Sequence, residues 1–237
     1  MAQEGGKRQL EARETRRRLF AAASALFAQQ GYHETTIDQI VRQAGVAKGT
    51  FFLHFATKEA VVTELVGHQT RAALRARAEA LQAGRGPVAA LRASIAMLGQ
   101  EAAASRELSR AVLAATLSSA QVGGEVSALF AEVTAALVVD ARAAQRAGLL
   151  RSRPAASVIA DTLMASYLGA VLHFTTSRDG RPIQRTLATL VDVNLRGLLP
   201  PDHAQNRKVH REAPPRVARP GPGPRARARV SARRNRL

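Results

Sequence analysis

The sequence predicts an all-α chain, with an N-terminal three-helix helix-turn-helix head and a larger helical core, about nine helices in all. Three observations carry this. Apolar residues recur with period 3.6 throughout the body and nothing alternates with period two. Trp is absent and aromatics are 4% of the 237 residues, a poor stock for strands. Residues 36–55, TIDQIVRQAGVAKGTFFLHF, have the spacing of two short helices crossing at a small-residue turn.

A first helix is expected from about Glu11 to Gln30, with Leu19, Ala23, Leu26 and Phe27 on one stripe and Gly31 as its stop. Thr35-Thr36 offers an N-cap to a second, whose inner face is Ile37, Ile40 and Val41. Ala44-Gly45-Val46 breaks it, and a third runs from Ala47 to about His54. Thr57-Lys58-Glu59 caps a long fourth helix reaching about Gln82. After Gly84-Arg85-Gly86-Pro87, helices are expected near 87–100, 105–120, 125–147, 154–176 and 182–198. The segment 158–174 is apolar nearly all round, so it is buried on more than one side, within its own core or against a partner.

Charge is unevenly placed. Of the net +17, residues 201–237 supply +9 and also hold six of the ten prolines and no aromatic, which reads as a disordered tail. Six of the nine aromatics lie in the first 55 residues. A strongly basic chain predicts a polyanionic partner. Absence of Cys excludes disulfides, thiolate metal sites and cysteine nucleophiles. The N-terminus has no apolar h-region. The longest stretch without a charged residue, Thr162–Ser177, has 16 residues, short of the roughly 20 a membrane helix needs. A cytoplasmic protein with no membrane partner is expected.

Within 36–55, Lys48, Gly49 and Thr50 put short polar groups at the start of the second helix of the motif, where base edges and phosphates are met. Gly49 costs helix stability, and close approach of a DNA backbone would supply the reason. Residues 13–60 resemble the DNA-binding head of the TetR family of transcriptional regulators. The matching positions are Ala22-Ala23, Leu26-Phe27, Gly31-Tyr32, Thr35-Thr36, Ile40, Ala44-Gly45-Val46, Lys48-Gly49-Thr50, His54-Phe55 and Lys58-Glu59.

The resemblance implies a homodimer whose paired heads bind a palindromic operator in double-stranded DNA. It implies a flexible N-terminus over 1–10, the DNA-binding domain over 11–58, an effector-binding and dimerisation domain over 59–200 and the tail over 201–237. Thr36 would cap the second helix against a phosphate. Ala47, Lys48, Gly49 and Thr50 would approach bases and phosphates, His54 would contact a phosphate, and Lys58 would anchor the fourth helix. The family commonly has Tyr where Phe52 stands; losing that hydroxyl costs about 1 kcal/mol. The interface between protomers is expected from helices 154–176 and 182–198, and the output is expected to be ligand-responsive repression.

Other residues have two readings. Arg16-Arg17-Arg18 is either a minor-groove arm or a solvated face, and the tail either binds phosphates or is an inert extension. Tyr167 and His173 either line an effector pocket or are satisfied core or interface residues. Asp140 and Asp161 either counter a cationic ligand or pair with Arg142 or Arg146. So few aromatics in the core suit an aliphatic effector better than a flat one. No catalytic, nucleotide-binding or metal-ligand spacing is present and no cofactor is expected, so an enzyme is not expected. Two rival functions are an architectural DNA-binding protein without effector, and a small-molecule carrier or enzyme on a helical core.

Overall fold

The computed structural model describes residues 2–178 and 180–200, with side chains from Gly6 onward. The expected tail over 201–237 lies outside the described residues. Within them the chain is all-α, in nine helices: α1 Ala2–Gln30, α2 Ile37–Ala44, α3 Lys48–His54, α4 Lys58–Gln82, α5 Gly86–Ala103, α6 Arg106–Ser118, α7 Ala120–Arg146, α8 Ala156–Thr176 and α9 Ile183–Arg196.

Two boundaries differ from expectation. α1 begins at Ala2 and takes in the segment expected to be flexible, because extending an existing helix through Lys7-Arg8-Gln9-Leu10-Glu11 adds a hydrogen bond per residue without a new nucleus. α7 begins five residues early. Ser119 ends α6 and caps α7, its Oγ accepting from Val122 N at 3.3 Å, so the pair turns on one residue. A Cβ at Gly123 would stand 3.1 Å from the Thr116 carbonyl, so that glycine admits the close approach of α6 and α7.

Packing forms two clusters. One joins Leu91, Ile95 and Leu98 of α5, Val133 and Leu137 of α7, Leu163 and Tyr167 of α8, and Leu187, Val191 and Leu195 of α9. The other holds Leu19, Phe27, Ile40, Phe51 and Phe55 of the head, but also Val61, Val62, Leu65 and Val66 of α4, Ala111 and Ala115 of α6, and Val122 and Val126 of α7. The head's core therefore crosses the 58/59 line. So few residues expose too much surface to close a core alone, and α4, α6 and α7 complete it.

α7 and α8 are long and apolar enough to cross a membrane by length and composition, which a count of uncharged residues underrates. Here both contribute to the first cluster, and α7 carries the buried Asp140. That carboxylate pairs with Arg77 of α4 at 2.7 Å, not with Arg142 or Arg146, while Asp161 is exposed.

Candidate functional site

The two helices of the motif are set by local chemistry. Thr36 and Gln39 form a reciprocal capping box: Gln39 N donates to Thr36 Oγ1 at 3.2 Å, and Thr36 N to Gln39 Oε1 at 2.8 Å. Gly45 ends α2 in the left-handed region (φ 66°), and the Gly45 and Val46 amides return to Arg42 and Val41 carbonyls at 3.2 and 3.0 Å. Ile40, Val41 and Ala44 face inward against Phe51 and Phe55. α3 carries no side-chain cap, so its first turn is left open to solvent.

The exposed surface of α3 then follows. Ala47, Lys48, Gly49, Phe52 and Leu53 are exposed, while Thr50 and His54 are half-buried. A Cβ at Gly49 would meet nothing within 4 Å, so no internal neighbour requires glycine there. Phe52 is 50% exposed and stands edge-on to Phe51. Leu53 is 83% exposed, and sequence reasoning passed over it. Its signal was legible: Phe51, Phe52 and Leu53 are consecutive on a seven-residue helix, and three adjacent positions cannot all face one core.

Thr36, Phe52 and Lys58 come together around a groove of about 410 Å³ that also takes in His33, Thr57 and Glu59. Lys58 is turned partly inward. Its Nζ donates to the carbonyls of Tyr32 at 2.8 Å and Thr35 at 2.9 Å and lies 4.2 Å from the Tyr32 ring centroid. Burial draws its pKa below the usual lysine value, against the pull of Glu59 and Glu34. The amine thus fixes α4 to the loop after α1. Beside it, the Tyr32 hydroxyl donates to Glu59. Burial raises the Glu59 carboxyl, but bonds from Tyr32, its own backbone and Thr57, with the charge of Lys58, outweigh that and hold it below its ordinary range.

Lys48 is not free of partners: its ammonium sits 2.9 Å from Asp38 of α2. The arginine triplet divides. Arg16 donates to the His54 carbonyl and to Glu64 and lies 4.3 Å over the Phe55 ring, so it clamps α1 to α3 and α4. Arg17 pairs with Glu14, and Arg18 is exposed.

In the core, a cavity of about 240 Å³ lies between α4, α5, α6, α7 and α8. Val112, Leu113, Phe130 and Val171 are among its apolar walls, and Tyr167 lines it. His173 is exposed and is not among its lining residues. α6 presents Val112 and Thr116 to the cavity, while its Ala111 and Ala115 enter the head cluster. Arg110 and Arg106 of α6 donate to the Thr175 and Ser177 carbonyls at the end of α8, at 2.7 and 2.6 Å.

A short capped helix, a left-handed glycine turn and an exposed second helix have the geometry of a helix-turn-helix head. Residues 19–65 match the family described as bacterial regulatory proteins, tetR family. The transcriptional regulator TcmR of Streptomyces glaucescens is 40% identical over 96 residues, which is 40% of this chain and 42% of that protein. The A-factor receptor protein of Streptomyces griseus is 38% identical over 63 residues, 27% of this chain and 23% of that one. The chain thus spans less than half the length of these curated relatives. Among solved structures, the TetR-family repressor FadR of Thermus thermophilus, in complex with lauroyl-CoA, superposes with a TM-score of 0.59 at 24% identity, over 89% of this chain and all of that one. That likeness extends the fold beyond the head.

Proposed function

We propose that the chain is a cytoplasmic, ligand-responsive transcriptional repressor, not an enzyme, that binds a palindromic operator as a homodimer. The observation that carries this is the sharing of α6 and α7 between two places, the head cluster and the wall of a mainly apolar cavity. A ligand that displaces Val112 or Thr116 moves the helix on which Ala111 and Ala115 support α1. α4 adds a second link, since Gln69 lines the cavity and Val62 packs in the head. Either motion changes the separation of paired recognition helices, which must match grooves about 34 Å apart. The effector shifts this balance only by its differential affinity for the two states.

Dimerisation is assigned to α8 and α9. Val158, Leu168 and Leu172 leave an exposed apolar stripe on α8, with Val193 exposed on α9. Asn194 Nδ2 donates to Ser166 Oγ at 3.0 Å, tying the two helices together. Such a face fits a four-helix contact about a two-fold axis. The DNA contacts are assigned to Thr36, Ala47, Lys48, Gly49, Thr50, Phe52 and His54, with Lys58 holding the frame beneath them. The relatives named above supply two reference ligands to compare, lauroyl-CoA and A-factor.

Selection of bound sequences from random DNA tests the reading directly, with a palindrome expected. An asymmetric site, or no enrichment, would sink it. Sedimentation adds the second arm: the wild type is expected to be dimeric at micromolar concentration and Leu168→Asp monomeric. An effector-free architectural protein would retain operator affinity after the cavity is filled by Val171→Phe and would respond to no small molecule.

A further inference from the structure

Resting on the ligand-responsive reading, we infer that the cavity takes an uncharged, mainly aliphatic molecule with a single hydrogen-bonding head, recognised by the Tyr167 hydroxyl. None of its lining residues is Asp, Glu, Lys, Arg or His. An ionised head group would be stripped of water there with no counter-charge in return, which is prohibitive in apolar surroundings.

Five polar residues line the wall, Gln69, Ser109, Thr116, Ser127 and Tyr167, and two of them are spent. Ser109 gives its hydroxyl proton to the Ala102 carbonyl and Thr116 to the Val112 carbonyl, both at 2.8 Å. Tyr167 is different. It is 3% exposed, its ring packs edge-on to Phe130, and its hydroxyl has no hydrogen-bond partner among the described residues. Since no fully enclosed side-chain N or O lacks a partner, this hydroxyl borders open space, and the cavity is what its side chain lines. A buried phenol left without a partner forfeits the bond it makes in water, so a ligand acceptor at that point restores it. The half-buried Gln69 carboxamide, also without a partner among the described residues, is a second polar group available, and the Ser127 hydroxyl lies on the exposed side of the wall.

Electrostatics oppose an anion. Burial raises the phenol pKa further above its ordinary value, and the nearby Glu101 carboxylate adds to that. Tyr167 therefore stays a neutral donor, and a carboxylate ligand would meet the field of Glu101. The volume, about 240 Å³, sits just below the roughly 300–1,000 Å³ of drug-sized sites, which suits a medium-length chain with one carbonyl.

Calorimetric titration of the full chain at pH 8 with γ-decalactone, decanoate and decanoyl-CoA tests this. Lactone binding is expected, with decanoate and decanoyl-CoA at least tenfold weaker. Tyr167→Phe should weaken the lactone by about three- to tenfold, the worth of one neutral hydrogen bond. Val171→Phe, which fills the cavity from α8, should abolish its binding. Equal or tighter binding of decanoate or decanoyl-CoA, no binding of the lactone, or an unchanged Kd in both variants would overturn the inference. Operator release is measured separately by gel shift. Lactone binding without release would defeat ligand control while leaving the pocket assignment intact.

Discussion

Arg77 on α4 holds Asp140 on α7 by two parallel hydrogen bonds, Nε to Oδ2 at 2.7 Å and Nη2 to Oδ1 at 2.8 Å. The carboxylate is buried and the guanidinium only partly so. Removing the cation leaves a buried charge unpaired, so Arg77→Ala should cost about 3 kcal/mol of unfolding free energy. Pairing Arg77→Met with Asp140→Leu should recover most of it. Urea denaturation measures both. A loss below about 1 kcal/mol in the single variant would show that water already solvates the carboxylate.

The Tyr32–Glu59 bond sets part of the acid limit of stability. Glu59 has a folded pKa below its ordinary 4.5, so its contribution is present above that value and is lost as pH falls through the folded one. Tyr32→Phe removes a donor and leaves burial less opposed, which raises the Glu59 pKa. The acid limb of Tm against pH should move to higher pH. An unmoved limb, with Tm lowered equally at every pH, would mean that the bond contributes packing only.

Gly45 stands in the left-handed region at the helix crossing. Nothing lies within 4 Å of an added Cβ, so Gly45→Ala isolates backbone strain from crowding. A loss of about 1–2 kcal/mol is expected in thermal or urea unfolding. A neutral substitution would show that the turn relaxes.

In the proposed DNA-bound state, Asp38 competes with a phosphate for Lys48. Asp38→Asn should tighten operator binding and steepen its salt dependence, because Lys48 then neutralises a phosphate unopposed. Lys48→Ala should lower the slope of log K against log salt by about one unit. Fluorescence anisotropy across a salt series measures this. Identical slopes in both variants and wild type would remove Lys48 from the interface.

Leu53 has almost no role in the fold, being 83% exposed. Leu53→Ala should leave stability within about 0.5 kcal/mol. If the side chain touches base methyl groups, discrimination should relax at one position of each half-site by about 1 kcal/mol. Unchanged selectivity in a base-substitution series would assign α3 readout to Lys48 and Thr50 alone.

Much of the fold was legible because its signals are short-range. The Thr36 cap, the Gly45 turn, the Thr57 cap and the apolar spacing of α2 and α4 involve residues within about four positions of one another. The candidate site was legible to the same extent. Its helix and exposed start follow from these signals, whereas the pairing of Lys48 with Asp38 and the inward turn of Lys58 do not. The start of α7 at 120 instead of 125 was not legible, because the Ser119 cap and the place of Gly123 inside the helix depend on the close approach of α6.

The amino-acid pattern alone was enough for helix order, the helix-turn-helix and the family resemblance of the head, since periodicity, caps and turn residues act between chain neighbours. Packing decided the partner of Asp140, the split roles of Arg16, Arg17 and Arg18, and the separation of Tyr167 from His173. It also decided which helices line the cavity. Those outcomes depend on side chains brought together from helices far apart in sequence, and burial of apolar surface, which drives that assembly, is non-directional. The period of a helix says that a face is buried but not against what.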